Sequence, residues 1–288
     1  MKNFILASRP KTLLAGIVPP TVTYVYFYFQ YQRHELLYFG LCFIGALFIQ
    51  LATNFFNDVI DHQKGADVKR VGPTRVSAAG LVDIKLVKKW AYSCVAVAAI
   101  CGVPIILRGG WPFATLGLAS LFLTYGYTGG KISLAYRGLG EIFVFLFFGL
   151  FSVIGSYYLY AQVVTLPVIL ISCMYGLLTT TFIGINNLRD RETDTEVGKK
   201  TMATRMSYGA YQKFILFTIF FPYVLCVIFR NFEMIYIMPI GFLPAIRLAK
   251  ITLTKKGADL NEGLKFSGIH LIFFSILLSL VFSYGYRV

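Results

Sequence analysis

Nine stretches of this chain run for about twenty residues with almost no charge, and no other feature constrains its folding as strongly. The hydrocarbon core of a bilayer, about 30 Å thick, is spanned by roughly 20 apolar residues of helix. The runs lie at about 12–32, 36–56, 86–107, 111–128, 140–160, 164–185, 212–229, 232–249 and 266–286. Most are apolar all round, as helices facing lipid or one another are. With 57% hydrophobic and 14% charged residues, the chain has too little polar surface to coat a soluble globule. It is also too apolar to be disordered. The expected fold is all-α, a polytopic membrane bundle of about nine transmembrane helices forming one domain over residues 1–288 in a lipid bilayer. Pro19, Pro20, Pro104, Pro167, Pro222, Pro239 and Pro244 fall inside the runs. They read as kinks whose freed carbonyls are satisfied by neighbouring helices.

The bases sort by side. Of 27 Lys and Arg, 23 fall in alternate connections and span ends, and 4 in the others. The positive-inside rule puts the richer side in the cytoplasm, with the N-terminus inside and the C-terminus outside. The net charge of +14 is then mainly topological, and no nucleic-acid partner is expected. Lys2, Arg9 and Lys11 precede an apolar stretch too long and too proline-interrupted for a cleaved signal. Cys42, Cys94, Cys101, Cys173 and Cys226 lie within the runs without metal-ligand spacing and read as packing.

The acids are more selective. Eight of 13 lie in two segments on the basic side: Asp58, Asp61, Asp67 and Asp83 after the second run, and Asp190, Glu192, Asp194 and Glu196 after the sixth. If the helices continue past the runs, Asn54, Asp58 and Asp61 share one face, with Asn57 one turn before Asp61. Asn187, Asp190 and Asp194 share another. Glu192 and Glu196 fall off that stripe. Gly65 reads as the end of the first helix, with Asp67 on the loop beyond. Two carboxylates about 4 Å apart repel by roughly 4 kcal/mol at an effective dielectric of about 20. Two such stripes therefore invite a cation, and oxygen donors without Cys or spaced His favour Mg²⁺. Because Mg²⁺ commonly completes its shell with substrate phosphate oxygens, a phosphorylated ligand follows.

Bases flank both stripes: Lys69, Arg70 and Arg75 after the first, Lys199, Lys200 and Arg205 after the second. The two loops end alike, in Thr74-Arg75-Val76-Ser77 and Thr204-Arg205-Met206-Ser207. An offset of four spans preserves orientation, as in a parallel repeat. Lys85, Lys88, Lys89, Lys255 and Lys256 need only the topological explanation; Arg75, Lys199 and Arg205 serve either topology or a ligand.

Asn57-Asp58-Val59-Ile60-Asp61 and Asp190 through Asp194 in such a bundle resemble the UbiA-type intramembrane aromatic prenyltransferases. Further stretches resemble the branch of that superfamily that prenylates 1,4-dihydroxy-2-naphthoate in menaquinone synthesis. They are Ala7-Ser8-Arg9-Pro10-Lys11-Thr12, Gly72-Pro73-Thr74-Arg75, Tyr127-Thr128-Gly129-Gly130-Lys131, Leu134 through Glu141, and Asn186-Asn187-Leu188-Arg189-Asp190 through Thr201. The likeness covers residues 7 to about 210. Many superfamily members carry a third Asp where this chain has Gly65, a form the naphthoate branch shares.

The resemblance implies Mg²⁺ held by Asp58, Asp61, Asp190 and Asp194, helped by Asn54, Asn57 and Asn187, with Asp67 less central. The bound ligand is the diphosphate of a polyprenyl diphosphate donor, its remaining charge met by Arg75, Lys131 and Lys199. The allylic cation left behind is attacked by the ring of 1,4-dihydroxy-2-naphthoate, whose carboxylate leaves as carbon dioxide to give demethylmenaquinone. Tyr127 or other aromatics shelter the cation. Arg9 and Arg137 either receive the acceptor carboxylate or anchor the interface. The family places such a chain in the prokaryotic cytoplasmic membrane, its site facing the cytoplasm. Other acceptors of the superfamily, such as 4-hydroxybenzoate, homogentisate, haem or a chlorophyll precursor, are the nearest alternative. A secondary transporter is a weaker one, since it would carry acids near the bilayer midplane and not at span ends.

Overall fold

Hydrophobic runs bounded by Gly, Pro and polar residues close into helices along the chain. The computed structural model describes residues 2–65, 71–131, 133–228 and 232–285, and shows no strand among them. Helices α1 (Lys2–Ser8), α2 (Pro10–Tyr31), α3 (Leu36–Gln63), α4 (Ile84–Gly109) and α5 (Trp111–Gly126) form the first part. Then come α6 (Gly140–Ala161), α7 (Leu166–Arg189) and the short α8 (Arg191–Glu196) and α9 (Met202–Arg205). Helices α10 (Tyr208–Ile228), α11 (Phe232–Thr254) and α12 (Asn261–Gly285) complete the chain.

As far as they lie in the described residues, the nine expected runs fall on helices. Among the described residues, seven helices are long and apolar enough to cross a membrane. The two outside that set are α5, which at 16 residues is short of a bilayer thickness, and α11. The number of membrane crossings and the sides of the termini stay expectations from the sequence. Pro167 differs from its expected place: it sits in the first turn of α7, where its missing N–H breaks no helical bond.

Two apolar cores hold the acid segments. The larger joins α2, α6, α7, α10, α11 and α12 around residues such as Tyr26, Met174, Ile215 and Phe274. Within it α7 is the central post, with 78% of its apolar window buried. The smaller core packs Phe55, Phe56 and Val59 of α3 against Ala7, Val87 and Ala91. Where α6 crosses α7, a Cβ on Gly149 would lie 2.4 Å from Gly176 Cα, so this close approach requires glycine. The chain of α6 is wound as a π-helix over Phe145–Phe151, a local widening often found at functional sites. It turns Phe147 and Phe148 into the space beside α3.

Candidate active site

Both acid segments are helical extensions of long apolar helices, but they end differently. Helix α3 continues unbroken to Gln63, and Gly65 turns the chain with φ +74°. The second helix breaks at Asp190, which caps α7, and Asp194 lies on the separate α8. The expected second stripe is therefore divided between two helices. Asp194 N still donates to Asp190 O at 2.7 Å, which keeps the pieces in register.

The first segment is sunk into the protein. Asp58 is 1% exposed, and its carboxylate accepts from Val76 N at 3.1 Å and Ser77 N at 2.9 Å. It thereby holds the Thr-Arg-Val-Ser loop against α3. That loop aims Arg75 at Asp61, with Nη2 2.7 Å from Oδ2, both side chains 10% exposed or less. Asp61 Oδ1 also accepts from the Tyr136 hydroxyl at 3.0 Å. Asn54 donates to Ser8 O and to Thr12 Oγ1, tying α3 to the start of α2. Asn57 Oδ1 accepts from the Thr128 hydroxyl. Asp67 lies outside the described residues.

The second segment is more open. Asp190 takes a fork from Arg189, at 2.7 and 2.6 Å, and its side chain is 21% exposed. Asp194 pairs with Lys199 at 3.3 Å, while its Oδ2 is buried without a partner. Burial, with Asp190 and Asp61 nearby, pushes the Asp194 carboxyl up to about 6 against the pull of Lys199. Burial also works against the Lys199 charge, but Asp194, Asp61 and Asp190 outweigh it and raise its pKa above the ordinary lysine value. Of these carboxylates Asp194 is the one in contact with the Lys199 ammonium.

The loop between α5 and α6 locks the segments together. Lys64 Nζ donates to Thr128 O at 2.8 Å and Ser133 Oγ at 3.1 Å, and Tyr136 O accepts from Lys200 N. Gly138, at φ +73°, lies so close to Lys200 O that a Cβ would stand 2.9 Å from it. Burial lowers the Lys64 pKa, with Asp61 opposing and Lys199 reinforcing the shift. Lys131 and Arg137 are exposed on this loop, joined by Arg137 Nη2 to Lys131 O at 2.8 Å.

One turn inward from the acids is a cavity of about 170 Å³, large enough for an aromatic ring by comparison with a benzene-binding cavity of about 150 Å³. Asn54 and Asn57 reach it from the first segment and Asn186 from the second, with Tyr127, Phe143 and Phe182 among its walls. Arg9 lines it too, from a left-handed backbone at φ 50°, a conformation that costs a non-glycine residue about 1–2 kcal/mol. A second, more apolar groove shares Ile49, Ser120, Phe147 and Phe148 with the cavity. It continues between α3, α4 and α6 past Gly45, Ala98, Gly102 and Gly155, where small side chains leave room.

Sequence reasoning missed Glu141. It is 2% exposed at the start of α6, where Oε1 accepts from Asn187 Nδ2 at 2.8 Å and from the Tyr211 hydroxyl at 2.5 Å. Its Oε2 is buried without a partner. A single acid opening an apolar run was the available signal. Tyr136 lies in the family-like stretch Leu134 through Glu141, which did not single it out among 19 tyrosines.

Among the described residues, no three His, Cys, Asp or Glu side chains form a ready cage for a metal. The donor set still fits Mg²⁺, which needs only one or two carboxylates beside phosphate oxygens. The partnerless buried Asp194 Oδ2 is such a donor.

Residues 17–281 match the model of the UbiA prenyltransferase family. The 1,4-dihydroxy-2-naphthoate octaprenyltransferase of Haemophilus influenzae is 36% identical over 222 residues, 74% of this chain and 71% of that protein. The protein of the same name from Bacillus subtilis is 32% identical over 202 residues, 70% of this chain and 65% of its own length. The chain thus spans about two thirds of the length of these relatives. A UbiA homologue from Archaeoglobus fulgidus, solved bound to DMAPP and Mg²⁺, shares the fold with a TM-score of 0.65. That match has 15% identity and covers 98% of this chain and 99% of the other.

Proposed function

The chain belongs to the UbiA prenyltransferase family, and from that premise we propose that it is a 1,4-dihydroxy-2-naphthoate polyprenyltransferase. It moves a polyprenyl chain from its diphosphate to the naphthoate ring, with loss of carbon dioxide, to give demethylmenaquinone at the quinol level. The observation that carries the reading is that Tyr136 joins Asp61 of the first segment to the Lys199–Asp194 pair of the second, one turn from a cavity of aromatic-ring size. The names of the relatives support the choice of acceptor.

Asp61, Asp190 and Asp194 would hold Mg²⁺. When bound there, the ion supplies positive charge that favours departure of the diphosphate. Asp58 holds the loop that aims Arg75, and is better assigned to positioning than to the metal. Arg75 and Lys199, now paired with carboxylates, are placed to exchange those partners for phosphate oxygens. Tyr127 and Phe143, Phe147, Phe148 and Phe182 wall the cavity. They exclude water and present ring faces to the allylic cation, worth roughly 0.5–2 kcal/mol per contact.

Arg9 lines the same cavity and receives the acceptor carboxylate. The allylic carbon–oxygen bond breaks with its electron pair passing to the diphosphate, and the ring carbon bearing the carboxylate bonds to the allylic carbon. The carbon–carboxylate bond then gives its electrons back to the ring as carbon dioxide leaves. No ring proton has to be removed, so the site needs no base for that step. The polyprenyl tail takes the apolar groove past Gly45 and Gly155, which explains why the enzyme lies in a membrane. The protein is an integral membrane protein. The basic side faces the cytoplasm of a prokaryotic cell, and the site with it.

Purified protein in lipid, supplied with polyprenyl diphosphate, Mg²⁺ and one acceptor at a time, tests the reading. The expected result is demethylmenaquinone with one carbon dioxide per product. Prenylation of 4-hydroxybenzoate without prenylation of the naphthoate would overturn it.

A further inference from the structure

Tyr136 stands between the two acid segments. Its hydroxyl donates to Asp61, and its carbonyl accepts from Lys200. Two ammonium groups lie near its ring, Lys64 Nζ at 3.9 Å and Lys199 Nζ at 5.3 Å from the centroid. A cation within about 6 Å of a ring centroid is attracted to it. One side chain therefore gathers a lysine from each segment, although the two charges repel. Two like charges held together attract a multivalent anion.

Lys64 and Lys199 differ in their partners. Asp61 is matched by Arg75, Asp190 by Arg189 and Asp194 by Lys199. Among the described residues Lys64 makes no ion pair; its ammonium donates only to Thr128 O and Ser133 Oγ, both neutral. Lys131, the loop lysine that the family resemblance put forward, is exposed and makes no such contact among the described residues.

Resting on the reading that the donor is a diphosphate, we infer that Lys64 and Lys199 form the basic pair that receives it, with Tyr136 as the positioning residue that sets their ammonium groups. Moving Lys199 from Asp194 to a phosphate oxygen also frees the Asp194 carboxylate, which couples anion binding to cation binding.

The test uses inorganic pyrophosphate and Mg²⁺ with the full chain in lipid nanodiscs, read by calorimetry beside the melting temperature. Lys64→Gln keeps an N–H donor for the loop but removes the charge. It should bind pyrophosphate at least tenfold more weakly at unchanged melting temperature. Lys64→Arg should recover binding to within about threefold, and Tyr136→Leu should lose as much as Lys64→Gln. In turnover, Lys64→Gln should raise the donor KM about tenfold and leave the acceptor KM in place. Lys85→Met, an exposed lysine away from the ring, controls for general charge loss and should bind normally. If Lys64→Gln melts early, the Arg variant decides: weak binding with its charge intact contradicts the inference. Equal binding by Lys64→Gln and the unaltered protein overturns the lysine pair and leaves the diphosphate reading standing. An unaltered protein that does not bind pyrophosphate overturns both.

Discussion

The two acid segments look like copies in sequence and behave as opposites in structure. The first ends a helix that is unbroken to Gln63, and the two carboxylates on that helix are both engaged: Asp58 by two backbone amides, Asp61 by Arg75 and Tyr136. The second breaks at Asp190 and leaves Asp194 with a buried, partnerless oxygen. Even the repeated loop differs. Arg75 is buried on Asp61, whereas Arg205 is exposed and donates to the Lys200 carbonyl. The loop after the first segment is held by an acid, Asp58, on its amides; the loop after the second is held by a base, Arg191, on the carbonyls of Ala203 and Met206. A repeat in sequence has become a division of labour, in which Asp58 fixes the frame and Asp194, with one buried oxygen unpartnered, is placed as an exchanger.

Loss of a metal-facing carboxylate should have the largest effect. Asp61→Asn and Asp194→Asn should each lower turnover by at least about a hundredfold, in the range found when one preorganised electrostatic group is removed. Radioactive donor assays in lipid measure this. Comparable activity in both variants and the unaltered protein would dissolve the site.

Stability should then separate the halves. Asp58→Ala strands two buried N–H groups, at about 1–3 kcal/mol each, and should lower the melting temperature clearly. Asp194→Asn removes a carboxylate that burial already disfavours, though it also takes a partner from Lys199, so it should lower the melting temperature less than Asp58→Ala. The reverse order of melting would invert the assignment of frame and exchanger.

Glu141→Gln comes next. Replacing one oxygen with an amide disturbs the acceptor shared by Asn187 and Tyr211, and groups that orient ligands typically cost about 10–100-fold when changed. A tenfold rise in the Mg²⁺ requirement, read from titrations of turnover, is expected.

The pH response should come from the second half. The Asp194 pKa is raised to about 6, so the metal-free protein keeps this proton below that pH and has lost it above. Mg²⁺ with pyrophosphate should therefore release more protons from the unaltered protein than from Asp194→Asn at pH 5.5, with the difference gone at pH 7.5, and should bind more weakly as the pH falls through 6. Calorimetry in buffers of different ionisation enthalpy detects the proton. The smallest effect belongs to Glu192→Ala: Glu192 is exposed on α8, and turnover should stay within about twofold.

The sequence made the helices legible because apolar runs of bilayer length have few other ways to fold. It also made the first stripe legible, since Asn54, Asp58 and Asp61 keep helical spacing in an unbroken α3. Spacing could not show that Asp58 would turn to the amides of Val76 and Ser77, because that bond depends on where a loop folds back. Nor could it show the break at Asp190, which Arg189 stabilises through its fork and a bond to Asn261, 72 residues away. Lys64 read as one base among 27. Its place on the Tyr136 ring is set by a loop that begins more than sixty positions later.

That both segments act on one ligand is tested most directly by a double-mutant cycle on Mg²⁺–pyrophosphate affinity with Asp61→Asn and Asp194→Asn. Residues sharing a ligand couple by about 0.5–3 kcal/mol, while independent sites add within about 0.5 kcal/mol. A double variant binding about as well as the weaker single variant is the predicted result. Strictly additive losses would mean that the two carboxylates serve separate sites.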